Sequence, residues 1–255
     1  MKLRFCTLFI AGLILAAAAR GNDYSFKEDF RHAGAFKTSG TLQLENVNGE
    51  IVVRTWDKAE ILIEGQKSAK TEEELKAIQL TMDVTEGKAV VKVRLPKRSR
   101  GWFSGGTIRA SVRFTVTVPA TVTLDKVATV NGGVTVEDLR GSVAIETVNG
   151  RIRAKGLGGD AKIETVNGGV KVDFTTVAAG QKLAFETVNG SVEVELPADA
   201  GIELSTSVVN GNIDCDFPLT LQNSSGKRKL AGKIGDGRAS LQAETVNGSI
   251  KIRRR

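Results

Sequence analysis

The tetrapeptide Thr-Val-Asn-Gly recurs at 129–132, 147–150, 165–168, 187–190 and 245–248. Internal repetition of this kind constrains a fold more than any local propensity, because each copy must find the same surroundings. Two relatives, Asn46-Val47-Asn48-Gly49 and Val208-Val209-Asn210-Gly211, extend the series. The repeated asparagines are therefore Asn48, Asn131, Asn149, Asn167, Asn189, Asn210 and Asn247. From Asn131 onward the steps are 18, 18, 22, 21 and 37 residues, the last near twice a single step. Within one step, Val143, Ile145 and Thr147 share one face of a short alternating run, and Ile152 and Ala154 share the face of the next. Period-2 alternation over such short runs predicts half-buried strands.

These features predict an all-β fold, a β-solenoid (β-helix-like) of two-strand rungs of about 18–22 residues. At each corner Gly is expected to supply a positive φ. Counting from Ile145, the alternation sends Thr147 and Asn149 inward and Glu146 and Val148 outward. Stacked inward asparagines would then hydrogen-bond from rung to rung as a structural ladder. A second reading stays open: Asn-Gly between alternating apolar residues is also a hairpin signal, which would give a meander or barrel. The near-constant spacing and the Glu-Thr-Val before each corner favour the solenoid. An outward column of Glu45, Glu146, Glu164, Glu186 and Glu244, interrupted by Ala128 and Ser207, accompanies the ladder. It reads as paired surface charge rather than a calcium stripe, since it lacks the Asp- and Gly-rich loop spacing of calcium sites.

The first nineteen residues read as a cleaved signal peptide. Lys2 and Arg4 precede an apolar run from Phe5 to Ala19 that ends in small alanines. An uncleaved anchor competes, but a spanning helix needs about 20 apolar residues. Cys6 lies too early in that run for lipid attachment. Cleavage lowers Lys plus Arg from 36 to 34 against 29 Asp plus Glu, leaving +5, a balance that does not argue for nucleic acid. Cys215 becomes the single mature cysteine, expected to be a small buried side chain. Residues 20–39 read as a polar lead-in and 40–255 as one solenoid domain, irregular over 40–128 and regular over 129–255. Between 71 and 80 the strand pattern breaks. Glu72, Glu73 and Glu74 in a first turn, with Leu75 and Ile78 on one face, predict a short helix.

A resemblance then becomes specific. The run from Asn48-Gly49 through Ile51-Val52-Val53-Arg54-Thr55-Trp56-Asp57, then Val118-Pro119, the Asn-Gly rungs, Leu196-Pro197 and Gly232-Lys233-Ile234-Gly235-Asp236-Gly237 occur in this order. Together they resemble the bacterial putative-adhesin family, exported or membrane-anchored envelope domains of otherwise unknown function. The resemblance covers about residues 40–255 and implies a β-helix-like fold with no catalytic residues to carry over.

Residue chemistry points the same way. His32 is the single histidine, in the lead-in, so a triad or a zinc site would have to rest on it. No catalytic, cofactor or metal residues are assigned. Asp214/Asp216 and Glu193/Glu195 alternate on strand faces, which keeps a carbohydrate-active lyase or hydrolase as an alternative. An envelope-stress sensor or regulatory partner is another. The leading expectation is a non-catalytic, exported envelope protein, periplasmic or at the cell surface, with an adhesin-like or scaffolding surface. Its expected partner is an envelope polysaccharide, anionic lipid or protein. The candidate contact loop is 96–109, where Lys97, Arg98, Arg100 and Arg109 surround Trp102-Phe103. Cations there suit anionic polymers or lipids, and aromatics suit interfaces or sugar faces. The terminal Arg253-Arg254-Arg255 is expected to blunt an open solenoid end. Deleting Lys97–Gly106 should leave the thermal transition unchanged and weaken co-sedimentation with membrane or cell-wall fractions; unchanged co-sedimentation would remove the loop from consideration.

Overall fold

The computed structural model describes residues 24–95, 110–224 and 228–255. The apolar leader and the 96–109 loop lie outside them. The chain opens with β1 (Phe26–Ala35), β2 (Thr41–Glu45), β3 (Ile51–Trp56) and β4 (Glu60–Ala69). Helix α1 (Glu72–Lys76) precedes β5 (Gln79–Val84), β6 (Lys88–Arg94) and β7 (Ala110–Pro119). Next come β8 (Thr123–Asn131), β9 (Val134–Glu137), β10 (Val143–Asn149), β11 (Ile152–Leu157), β12 (Ala161–Asn167) and β13 (Val170–Phe174). The last third holds β14 (Lys182–Asn189), β15 (Val192–Leu196), β16 (Ile202–Asn210), β17 (Ile213–Cys215), β18 (Thr220–Ser224), β19 (Lys229–Ile234), β20 (Ala239–Asn247) and β21 (Ile250–Arg254).

Two sheets result. One runs β1-β4-β7-β3-β9-β11-β13-β15-β21-β17, the other β18-β19-β16-β20-β14-β12-β10-β8-β2-β6-β5. Each Asn-Gly corner carries the chain from the second sheet to the first, as from β10 to β11, so it is a solenoid corner and not a hairpin. Central strands pair parallel and in register: Thr147 lies beside Thr165 and Thr165 beside Thr187, as Asn149 lies beside Asn167 and Asn167 beside Asn189. Antiparallel strands finish the ends, with β1-β4-β7 and β5-β6 at one and β16-β19-β18 at the other.

Both sheets send every second side chain into one core. Ile163, Phe185 and Ala243 share one column, where the large ring stacks beside the smallest member. Ile152, Val170, Val192 and Ile250 face them from the other sheet, all essentially inaccessible to solvent. Like-on-like stacking with compensating volumes keeps the interior close-packed as the rungs repeat. Helix α1 forms where the sequence predicts it: the Thr71 hydroxyl caps the Glu74 amide at 3.2 Å, and Leu75 and Ile78 are buried.

Four features depart from the reading of the sequence. Residues 26–35 are not a polar lead-in but a ten-residue strand paired with β4. Phe30 anchors it edge-to-face on Phe114 at 5.4 Å, and His32 pairs with Ile63 rather than lying in a linker. Second, the corner asparagines are exposed or half-exposed, not inward. Their amides still bond from rung to rung at 2.8–2.9 Å, Asn210 to Asn247 to Asn189 to Asn167 to Asn149 to Asn131 to Asn48. Asn48 ends the series on the Ala110 carbonyl at 3.0 Å.

The buried polar column is threonine instead. Thr129, Thr147, Thr165, Thr187 and Thr245 are at most 5% exposed. Each hydroxyl donates to the carbonyl of the corner glycine on the adjacent rung, at 2.9–3.5 Å. Asn46 replaces threonine in the Asn48 rung and reaches the Val112 carbonyl at 2.7 Å.

Third, positive φ holds at the corner glycines Gly49 and Gly211 alone, and the other five are needed for a different reason. Gly132, Gly150, Gly168, Gly190 and Gly248 are not among the positive-φ residues. A Cβ on each would overlap the carbonyl oxygen of the glycine on the next rung. Fourth, the 37-residue final step does not skip a rung. It contains β18 and β19, and the rung β20–β21 lies between β14–β15 and β16–β17.

A stability ranking follows for one rung. Gly168→Ala should cost most, about 3 kcal/mol or more, because backbone must move to admit the methyl. Thr165→Val should cost about 1–2 kcal/mol by leaving the buried Gly150 carbonyl unpaired. Asn167→Ala should cost about 1 kcal/mol or less, since the neighbouring exposed amides rehydrate. Urea unfolding of the three variants checks the order, and an asparagine cost above the threonine cost would refute it.

Candidate functional surface

The surface with the clearest departure from ordinary packing is the outer side of the Glu-Thr-Val-Asn strands. Alternation buries Thr, so Glu and Val of the same strand share the solvent side. Val130, Val148, Val166, Val188, Val246 and Val209 are each 37–51% exposed and occupy six consecutive rungs. Strands about 4.8 Å apart make this a ridge roughly 24 Å long. Isolated exposed valines are unremarkable, whereas a contiguous apolar stripe marks a contact surface.

Beside the ridge runs the glutamate column, and between them lies an open groove of about 470 Å³. Glu45, Glu146, Glu164 and Glu186 line one side, and Val130, Val148, Val166 and Val188 the other. Lysines balance part of the acidity: Lys92 to Glu45 at 3.1 Å, Lys126 to Glu146 at 3.7 Å and Lys162 to Glu164 at 2.8 Å. The Glu164 carboxylate, bonded to its ammonium, raises the pKa of Lys162. Among the described residues neither Glu186 nor Glu244, on the adjacent strands β14 and β20, has an ion-pair partner, so the acidity is least compensated there.

The opposite face carries the two carboxylate pairs considered for acid–base chemistry. Glu193 and Glu195 both hold Lys171, at 2.7 and 3.1 Å. The hydrogen bond from Lys171 keeps the Glu193 carboxyl below its ordinary pKa. Asp214 and Asp216 both hold Arg253, each at 2.8 Å. Each pair thus shares one cation from a neighbouring strand, the arrangement of a surface salt bridge between strands. Burial raises the pKa of the half-buried Cys215 thiol, which keeps it protonated and unreactive. Among the described residues no group of three or more His, Cys, Asp or Glu could hold a metal ion, and no helix is long and apolar enough to cross a membrane.

The valine ridge is the feature that reading the sequence passed over. Alternation sends Val148 outward, where the structure has it, while the corner motif conceals that the residue recurs. The signal was present as a hydrophobic residue on the solvent side of every rung. The basic–aromatic contact loop lies outside the described residues, so Lys97, Arg98, Arg100, Trp102, Phe103 and Arg109 have no described position.

A known structure shares this architecture. A putative cell adhesion protein from Clostridium sporogenes aligns over 89% of this chain and 100% of its own, with a TM-score of 0.52 at 13% identity. A putative adhesin from Bacteroides fragilis aligns over 88% and 97%, with a TM-score of 0.43 at 14% identity. At such identity the first similarity speaks for the fold alone. No curated protein matches the sequence. The family described as Toastrack DUF4097 matches residues 37–253, nearly the whole of the described fold, and the chain belongs to that family.

Proposed function

We propose that the protein is a non-catalytic, exported component of the cell envelope that works through surface contact, as an adhesin-like or scaffolding element. The observation that carries this reading is the six-rung valine ridge flanked by glutamates. A solenoid offers such a stripe at fixed spacing: each of the six rungs adds one apolar contact, and four of them add a glutamate. The ridge therefore suits an elongated partner lying along the stack rather than a small molecule held on all sides. Its acidic flank disfavours an anionic lipid surface at this place and favours a neutral or cationic partner, a protein or polysaccharide of the envelope. The description of the Clostridium sporogenes protein as a putative cell adhesion protein agrees with this reading. Export rests on Lys2, Arg4 and the apolar run to Ala19.

Two measurements test the proposal. Replacing Val148, Val166 and Val188 together by Thr keeps β-branching at exposed positions, so the melting transition should stay within a few degrees. Binding to isolated envelope fractions should weaken roughly tenfold through loss of apolar contact. Full binding by the triple variant would exclude the ridge. Sequencing the amino terminus of the protein recovered from its native envelope should begin at Arg20, and a retained Met1 would contradict cleavage.

A further inference from the structure

The rung β20–β21 is last in sequence and internal in space. Its strands lie between β14 and β16 in one sheet and between β15 and β17 in the other. Both of those flanking rungs precede it in the chain, so in space it fills a gap that they border.

The charges on the outer face of the gap explain why it does not simply close. On one side stand Glu193 and Glu195, on the other Asp214 and Asp216. In register, Lys251 separates Glu193 from Asp214, and Arg253 lies beside Glu195. Arg253 binds both aspartates at 2.8 Å, and the Asp216 amide donates to the Ile252 carbonyl at 2.9 Å. Arg255 reaches back to Asp173 on β13 at 3.2 Å, while its amide donates to the Leu196 carbonyl at 2.9 Å. If β15 and β17 paired directly, four carboxylates would stack at strand spacing. Like charges directly opposite one another destabilise a ladder. The corner motif would otherwise permit that pairing, because Asn189 and Asn210 end their strands in the same way as Asn247. The slot is therefore acidic on both borders and takes a basic rung.

We infer that this slot is an intermolecular site as well: it accepts the rung 239–255 of a second copy of the chain, giving a reciprocally exchanged dimer. Every strand pair, ladder bond and ion pair that holds the rung in its own chain is remade when it enters a partner's slot. The two states then differ in the connection 235–238 and in chain entropy, the condition under which exchange of an element costs least. That connection holds two glycines at positive φ, Gly235 at 57° and Gly237 at 69°, so it can change direction without a Cβ penalty. The acidic borders act as an address, selecting the basic terminal strand. The charges that carry this inference lie on the sheet opposite the valine ridge, although β20 of the same rung contributes Val246 to that ridge.

Single-cysteine variants of the full chain test it. In a Cys6→Ser, Cys215→Ser background, Ala184→Cys on β14 and Gln242→Cys on β20 are register partners on the solvent side. The two variants are mixed, refolded together from denaturant at low and high protein concentration, and oxidised. Exchange predicts a covalent dimer containing one copy of each, with a yield that rises with concentration. It should exceed several-fold that from a control pair, Ala184→Cys with Lys88→Cys, which the exchange does not bring together. Adding Arg253→Gln to the Gln242→Cys chain should lower the yield several-fold. A yield no higher than the control would overturn the exchange. An unchanged yield with Arg253→Gln would overturn the electrostatic address.

Discussion

Close contact between backbones at the corners is the constraint on which the structure depends. The glycine of one rung sits against the carbonyl oxygen of the glycine on the next, with no room for a side-chain carbon between them. That carbonyl is turned away from the ladder and accepts the buried threonine hydroxyl. One tetrapeptide therefore solves three problems together. Gly permits the approach, Thr satisfies the polar atom the approach buries, and Asn links the exposed edge of the corner. Valine is left outside because its neighbour takes the inward position.

In-register stacking has a cost that the outer faces show plainly. Any charge repeated at one position meets its own kind about 4.8 Å away. On the ridge side the glutamates are relieved by lysines from adjacent strands or from the same strand, and by Ala128 and Ser207 where the column breaks. On the other side Arg153 and Lys171 still stand side by side, but from Lys171 onward charges alternate through β15, β21 and β17, because β21 lies between β15 and β17. Surface pairs of this kind add little to stability one at a time. Their weight here lies in choosing which rung stacks on which, since the corner motifs alone do not discriminate.

The carboxylates that drew attention as possible catalytic pairs belong to this charge alternation. Glu193/Glu195 and Asp214/Asp216 each have the alternate spacing of a strand face, which is why the sequence leaves an enzyme reading open. Their partners, Lys171 and Arg253, come from neighbouring strands, and no spacing rule along the chain brings them together. The valine ridge was legible in principle, because hydrophobic residues on the polar phase of an alternating strand need a reason. It is hidden by repetition, which makes an exposed position look like part of the turn.

By itself the sequence determined the all-β class, the rung length, the short helix and the family, because each depends on local alternation, caps and a repeated corner within a few residues. It also identified the asparagines, but not their direction. Only the tertiary structure decided that Thr is the buried partner, that five of the seven corner glycines serve rung-to-rung approach rather than positive φ, and that the last rung lies between two earlier ones. Each of these depends on what lies one strand spacing away in space. That neighbour can be 18 residues distant or 58, as for Asn149 on Asn131 and Asn247 on Asn189, and periodicity along the chain cannot tell which.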